Sequence, residues 1–316
     1  MLPAAKYTIA ASSATGCRML TLASAPARRR LQLFQEEKVR QDAERRATLE
    51  KIVVSTFNAE GDDVDLLMNQ NLSTAYDCAK QISRHCVQNS ALCLRNDEVT
   101  GLQELLTSDC KIEFLDFVKP KNSTDVNDAY WRSCSLALGA VVQSSFRNEV
   151  IPNVSALPDV TSGSFTFDVK IAGLKNWQPT VEDLQILTKR VRSAIIDPQY
   201  FFDLVRVSFP LATEMFGAER LSIEPKLDVN EKGDNIAVYR VGDFVNITNG
   251  PVISNTGLIG KFHVAAVEQL EEETYRFKGV SLPKVQQTSS YTWNILANTA
   301  AGKKSDVEAD RRTATV

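Results

Sequence analysis

One uninterrupted stretch constrains the fold of this chain more than any other. Residues 125–150 contain no proline and a single glycine, Gly139. The apolar positions that recur there at helical spacing include Ala129, Tyr130, Leu136, Ala137, Ala140 and Val141. This periodicity predicts a mostly buried helix, and the preceding Ser123 and Thr124 are residue types that often start one. By itself the pattern indicates a core helix and no particular function.

The length and composition of the chain bound its class. At 316 residues it is long enough for two domains. Hydrophobic residues make up 43% and charged residues 24% of the chain, which is ordinary for a globular protein with a sizeable core. No apolar run approaches the roughly 20 residues that a membrane-spanning helix requires, so we predict no membrane association.

The first 30 residues differ in composition from the rest of the chain. Their basic residues are Lys6, Arg18, Arg28, Arg29 and Arg30. They also contain several hydroxyl side chains and no acid, a composition typical of a mitochondrial transit peptide. We therefore predict residues 1–30 to be a transit peptide and the mature protein to reside in the mitochondrial matrix; a disordered tail is the alternative. The whole chain carries a formal net charge of −3 although its first 30 residues contribute five positive charges. The remaining chain is therefore acidic. It is therefore not expected to coat nucleic acid by charge alone.

The residues that could hold a metal or act as a base are few. The chain has two histidines, His85 and His263, so a catalytic cluster of three cannot be built from one copy. Its cysteines are Cys17, Cys78, Cys86, Cys93, Cys110 and Cys134, with no C-x-x-C pair among them. His85 and Cys86, with Cys78 and Cys93 nearby, imitate a metal site, but we predict small, buried and reduced thiols instead. No metal or cofactor is therefore expected.

A highly charged segment follows the basic N-terminal region. Residues 31–50 read as a helix, in which Glu36 and Arg40 form a favourable i,i+4 pair. Leu31 and Phe34 are positioned to anchor one end of it. We expect a solvated helical linker; the alternative is a helix that lies against a partner or RNA.

Residues 51–119 carry the pattern of a small α+β domain. Thr74 and Asp77 are spaced as a capping box at the start of a helix. The alternating or apolar segments that predict strands lie at 52–57, 64–67, 91–94 and 110–114. Two strands, a helix and further strands indicate a β-grasp. This segment resembles the TGS domain at the N terminus of threonyl-tRNA synthetases, most closely at residues 71–79; any other small α+β domain is the alternative.

Residues 120–290 form the second predicted domain. Alternation from Phe165 to Ile171 predicts a half-buried strand. Thr180 and Asp183 form a second capping-box pattern, and Pro198 ends the helix that they begin. The remaining predicted elements are a helix at 210–216 and strands at 221–223, 236–239, 262–267 and 275–283. We expect residues 291–316 to form a partly disordered tail.

The helix after Thr180 has one basic face. Lys189, Arg190 and Arg192 lie on the side opposite its apolar residues. A solvated surface is the simpler interpretation, and a contact with RNA is the alternative.

The stretch Y-W-R-S-C-S-L-A-L-G, at residues 130–139, resembles the signature helix of the threonyl-tRNA synthetase editing domain. In that family an H-S-S-A-H-type motif places two histidines in the editing pocket. Matched residue by residue, the histidines fall on Arg132 and Leu136. An arginine is always charged and is not a base, and a leucine binds no metal and carries no proton.

A second string, at residues 239–257, predicts a strand, an Asn-Gly-Pro turn and a further turn. It resembles the editing-domain segment in which a C-x-x-x-H motif precedes an N-T-G-like turn. The cysteine position falls on Thr248 and the histidine position on Val252, while Gly250 and Pro251 are retained. Threonine is a poor metal ligand, so we predict no catalytic, cofactor-binding or metal-binding residue in this chain.

The two resemblances imply an α+β fold in which a TGS-like β-grasp domain precedes an inactivated editing-like domain. We find no Gly-rich ATP-binding loop, and too little sequence after residue 285 for an aminoacylation domain. This combination resembles a synthetase-derived family of mitochondrial large-subunit ribosomal proteins. It implies a non-enzymatic structural role, with large-subunit proteins as neighbours, limited rRNA contact and no homo-oligomer. The alternatives are a free-standing tRNA-editing hydrolase and a non-catalytic tRNA-binding module.

Overall fold

A computed structural model of the chain describes residues 24–46, 49–58, 60–118, 123–153, 163–223 and 235–302. It has a mixed α+β architecture with three sheets, of five, four and three strands. Most of the predicted transit peptide and the end of the predicted tail, residues 1–23 and 303–316, lie outside the described residues. Across the described residues we find no helix that combines the length and hydrophobicity of a membrane-spanning segment.

The first unit is built on the five-stranded sheet. Its strands are β1 (Lys51–Phe57), β2 (Asp63–Asn69), β3 (Ser90–Arg95), β4 (Glu98–Thr100) and β5 (Cys110–Asp116). They lie in the order β2-β1-β5-β3-β4, and the central pair β1 and β5 is parallel. Its helices are α2 (Ala75–Ile82) and α3 (Arg84–Asn89). The capping box predicted from Thr74 and Asp77 is present at the start of α2.

The second unit contains the other two sheets. The four-stranded sheet contains β6 (Val150–Asn153), β7 (Phe165–Ile171), β11 (Ile259–Glu271) and β12 (Thr274–Pro283). The three-stranded sheet contains β8 (Asp203–Ser208), β9 (Asn235–Val241) and β10 (Phe244–Ile247). Helix α5 (Val181–Val191) starts at the capping box of Thr180 and Asp183 and continues as a π-helical turn, Arg192–Ile196.

Helix α4 (Ser123–Ser145) is the centre of the molecule, as residues 125–150 predict. Its middle is buried on all sides, and Gly139 makes this possible. A Cβ at Gly139 would lie 2.8 Å from ring atoms of both Phe167 on β7 and Phe244 on β10. The missing side chain therefore lets α4 approach both sheets of the second unit.

The first unit shares a core with α4. Leu92, Leu94 and Leu115 from its sheet belong to the same buried cluster as Val126 and Tyr130 of α4. The intervening Cys93 faces the other side, where it packs in the core of the first unit. Because β3 is buried on both faces, residues 91–94 read as a continuous apolar run rather than an alternating one.

The segment expected to be a solvated linker is a packed helix instead. Helix α1 (Ala25–Arg46) buries Leu31, Leu33 and Phe34 against the three-stranded sheet. Its i,i+4 pairing also differs from the prediction, because Arg40 pairs with Glu44 at 2.5 Å and with Glu37 at 2.6 Å. The sequence showed Leu31 and Phe34 as possible anchors, but it could not identify the surface that receives them.

Two further elements differ from the sequence-based expectation. After α6 (Phe209–Phe216), residues 218–223 form helix α7 (Ala218–Ile223) and not a strand. A short apolar run has no periodicity that separates the two states. Residues assigned to the tail form helix α8 (Ser290–Ala300), capped by Ser289. Its Trp293, Leu296 and Ala300 pack on the four-stranded sheet.

Candidate functional site

The two stretches that resemble the editing motifs meet in space. Arg132 and Leu136 lie one turn apart on α4, and Thr248 follows the end of β10. All three line one cleft, which we call the α4 cleft. Its other lining residues are Ser135, Asn153, Thr166, Phe167, Asn246, Ile247 and Asn249. Val252 is fully buried and is not part of this lining.

Arg132 binds the turn that faces it. Its Nη1 atom donates a hydrogen bond of 2.7 Å to the carbonyl oxygen of Pro251. A Cβ at Gly250 would lie 2.9 Å from the Cζ atom of Arg132, so only glycine allows the guanidinium to come this close. Thr248 stabilises the same turn, because its Oγ1 donates to the carbonyl oxygen of Gly250 at 2.6 Å.

A second contact holds the turn to α4. The backbone N–H of Ile253 donates to Oγ of Ser133 at 2.9 Å, and that hydroxyl donates to the carbonyl oxygen of Ala129 at 2.7 Å. Hydrogen bonds therefore link the turn to α4. We call residues 248–253 of the turn and residues 129–133 of α4, with these hydrogen bonds, the joint.

The first unit contacts this turn from another direction. Gln103 donates from Nε2 to the carbonyl oxygen of Ile253 at 2.6 Å. A Cβ at Gly101 would lie 3.6 Å from Cβ of Pro251. The neighbouring Glu104 contacts the second unit at a different place, where it pairs with Arg206 of β8 at 2.5 Å. Sequence reasoning missed these residues, because an isolated polar residue in a loop carries no signal of its partner.

The α4 cleft is small and lacks titratable bases. Its volume is about 40 Å³, which is room for about one water molecule and far below the roughly 300 Å³ of small-ligand sites. Its lining contains neither histidine: His85 is exposed on α3, and His263 is on β11. Within the described ranges, no group of three or more His, Cys, Asp or Glu side chains could hold a metal ion.

The described cysteines are free thiols. Burial raises the pKa of Cys78 to about 12, that of Cys93 to about 11 and that of Cys134 to about 12. A thiol with such a pKa stays protonated at neutral pH, whereas metal binding and nucleophilic attack require the thiolate. Cys17 lies outside the described residues.

The basic face of α5 divides into two parts. Arg190 donates from Nη1 to Oγ of Ser145 on α4 at 2.9 Å, and its desolvation on burial lowers its pKa. Its side chain therefore holds α5 to α4, which corrects the expectation that all three basic residues face solvent or RNA. Lys189 and Arg192 are exposed, and Arg192 approaches Asp197 at 3.6 Å.

Comparison with known proteins gives two kinds of relative, and no family model matches the chain. The large ribosomal subunit protein mL39 of Drosophila melanogaster is 31% identical over 284 residues, which cover 86% of this chain and 83% of that protein. Probable threonine–tRNA ligase 1, cytoplasmic, of Dictyostelium discoideum is 23% identical, and the match covers 70% of this chain. Mitochondrial threonine–tRNA ligase of Rattus norvegicus is 24% identical, with 72% of this chain covered.

The extent of the matches distinguishes the two kinds. The chain spans 30% of the length of each of these two ligases, whereas its match with the ribosomal protein covers most of both sequences. The chain therefore belongs to the family of the large ribosomal subunit protein mL39.

Proposed function

We propose that this chain is a structural constituent of the mitochondrial large ribosomal subunit, built on a synthetase-derived scaffold that performs no catalysis. The observation that carries the proposal is the match with a ribosomal protein over 86% of this chain and 83% of that protein. The ligase matches support a scaffold related to part of a synthetase, because they cover 70% and 72% of this chain but only 30% of each ligase.

The geometry of the α4 cleft supports the absence of catalysis. The guanidinium of Arg132 is bonded to the chain's own turn at the carbonyl oxygen of Pro251. A permanently protonated group cannot act as a general base. Leu136 and Val252 are apolar, and the hydroxyl of Thr248 is engaged with Gly250. The four positions that carry the family's chemistry thus serve packing and turn formation here.

The strand order supports the two proposed domains. In the first unit a β1–β2 hairpin precedes α2, and β5 returns beside β1 in parallel. This order fits a TGS-like β-grasp over residues 51–119. An editing-like domain over residues 120–290 fits the meeting of the two motif stretches in one cleft. The described part of the predicted linker up to Arg46 belongs with the second unit, because α1 packs on its three-stranded sheet.

The packing of α1 leads us to shorten the transit peptide that we propose. A boundary after residue 30 would cut through α1 and remove Ala27 and Arg30, which are both buried. Arg30 donates from Nε to the carbonyl oxygen of Met215 at 3.1 Å, and its guanidinium lies 5.1 Å from the ring centre of Phe216. We therefore place the cleavage site before Ala25. N-terminal sequencing of the mature protein tests this, and a mature chain that begins after Arg30 would contradict it.

The partners follow from the proposed role. We propose that large-subunit proteins are the main neighbours, that rRNA contact is limited and that a single copy is present in each subunit. The acidic character of the chain after its basic N-terminal segment supports limited rRNA contact.

Sedimentation of a mitochondrial lysate tests the proposed function. An epitope-tagged chain is expected to migrate with the large subunit through a high-salt gradient. Removal of Mg²⁺, which separates the two subunits, serves as the control, because the chain should then follow the large subunit alone. Migration at the top of the gradient, or a salt-labile complex with tRNA, would favour the tRNA-binding module instead.

A further inference from the structure

A large groove lies on the second unit, between the π-helical turn after α5 and the ends of β11 and β12. It has a volume of about 440 Å³. Its charged lining residues are Arg192, Asp197, Lys261 and Lys284. We propose that this basic groove binds the phosphodiester backbone of RNA, and we infer that the RNA is single-stranded. The inference rests on the proposed ribosomal function and names the surface through which the chain meets RNA.

The charge balance of the groove favours an anionic partner. Three of its four described charged lining residues are cationic, although the chain as a whole has a formal net charge of −3. The side chain of Arg192 is 63% exposed, and its Nε atom lies 3.6 Å from Oδ1 of Asp197. Exposed pairs of this kind are weak, so Arg192 can turn towards a phosphate at little cost.

Lys261 fixes one wall of the groove. Its Nζ atom donates to the carbonyl oxygen of Thr288 at 2.9 Å and lies 5.6 Å from the ring centre of Trp293. An ammonium group has three donors, so this hydrogen bond leaves donors for a ligand. Lys284 directly follows the end of β12 and is exposed. The ammonium group of Lys261 is therefore held in position before a ligand binds.

A second large groove provides an internal contrast. It lies between α1 and β8 and has a volume of about 570 Å³. Its three arginines are accompanied by Glu37 and Glu44 in the lining, and Arg40 is paired with both of these carboxylates. Its positive charge is largely neutralised within the protein, whereas that of the basic groove is not.

The uncharged part of the basic groove's lining includes groups that can hydrogen-bond to a ligand. Gly260 has no room for a side chain, because a Cβ there would lie 2.8 Å from the carbonyl oxygen of Leu282. The start of β11 and the end of β12 are therefore closely packed at this part of the lining. Gln199, Gln286 and Gln287 supply uncharged hydrogen-bonding groups around it.

Two exposed side chains lie close in sequence to residues that line the groove. Lys189 lies one turn before Arg192 on α5 and is exposed. Tyr291, in the first turn of α8, follows the lining residue Thr288 and is 68% exposed. Basic side chains that follow a backbone, with an aromatic ring available for stacking, are typical of single-stranded RNA binding. An acidic peptide would satisfy the charges but would leave the exposed ring of Tyr291 unexplained.

A charge-reversal pair tests the inference on the purified full-length chain. The probe is a single-stranded RNA of about 20 nucleotides, and its affinity is measured over a range of salt concentrations. We expect Arg192→Glu with Lys284→Glu to weaken binding at least about tenfold and to lower the salt slope by about 1.4, because each phosphate contact contributes about 0.7 for single strands. The matched control is Arg147→Glu with Lys170→Glu, which reverses two exposed charges outside the groove lining. Equal affinities of the two double variants would overturn the proposal.

A photo-crosslinking residue at Gln287 tests the groove within the mitochondrial particle. The expected product is an adduct with rRNA, whereas an adduct with protein alone would overturn the proposal. The two experiments also separate this inference from the function on which it rests. If the wild-type chain fails to sediment with the large subunit, the ribosomal role fails, and the purified-chain assay still decides the groove. If it sediments but the Arg192 and Lys284 variant binds RNA normally, only the groove proposal fails.

Discussion

The α4 cleft and the basic groove differ in where their polar groups find partners. In the α4 cleft, Arg132 and Thr248 bond to the backbone of the facing turn, and about 40 Å³ remains open. In the basic groove, Arg192 and Lys284 face solvent around a space of about 440 Å³. The polar side chains of the region that resembles a catalytic site thus bond to the protein itself, while the cationic side chains of a region without any catalytic motif face solvent. A motif resemblance therefore identifies the scaffold of this chain, whereas exposed charged side chains indicate where it contacts a partner.

The largest effect is expected from filling the space between α4 and the sheets. Gly139→Val would force its side chain against Phe167, which lines the α4 cleft, and against Phe244. Overpacking of this kind costs about 3 kcal/mol, measured as a loss in the free energy of unfolding in urea. Gly139→Ala is the graded control and should cost less, because it is smaller and gains helix propensity of about 1 kcal/mol. Wild-type stability in the valine variant would contradict the packing described for α4.

The next largest loss of stability is expected from removing the hydrogen bond between Arg132 and Pro251. Arg132→Ala removes the donor to Pro251 and should lower the free energy of unfolding by about 2 kcal/mol, since hydrogen bonds from charged groups contribute roughly 1.5–3 kcal/mol. The control is Arg147→Ala at an exposed position, where a change within about 0.5 kcal/mol is expected. If the two variants were equally stable, Arg132 would not hold the turn.

A smaller effect is expected where the first unit meets the turn. Gln103→Ala removes the hydrogen bond to the carbonyl oxygen of Ile253 and should cost about 1 kcal/mol. Gln185→Ala on the exposed side of α5 is the matched control. Equal unfolding midpoints for the two variants would show that the first unit does not stabilise the joint.

The smallest effect on stability is expected in the basic groove. Neutralising Arg192 and Lys284 with glutamine should change the free energy of unfolding by no more than about 0.5 kcal/mol, because both side chains are exposed. A loss as large as that of Arg132→Ala would mean that the groove is a structural element like the cleft, and the contrast between the two regions would disappear.

The sequence predicts the elements with strong local signals. The central helix has a long apolar periodicity, and α2 and α5 each begin at a capping box formed by Thr and Asp three residues apart. The alternation at residues 165–171 likewise marks β7. These features are local, so a single stretch of sequence contains all the information that they need.

The contacts that close the cleft depend on residues far apart in the chain. Nothing near Arg132 indicates that its donor would reach the carbonyl oxygen of Pro251, 119 positions away. The docking of α1 is missed for the same reason, since the partners of Phe34 lie on β8, β9 and β10. The resemblance to the editing motifs predicts which positions to compare, but only the fold gives the hydrogen bonds that they make.

Hydrolysis of a mis-acylated tRNA by the purified chain is the most direct test of the central claim that the α4 cleft performs no chemistry. We expect the wild-type chain to release amino acid no faster than buffer. We expect the same rate for Thr248→Ala, because the Thr248 hydroxyl only stabilises the turn through Gly250. Multiple turnover by the wild-type chain that is lost in Thr248→Ala would contradict the account and identify the cleft as an active site.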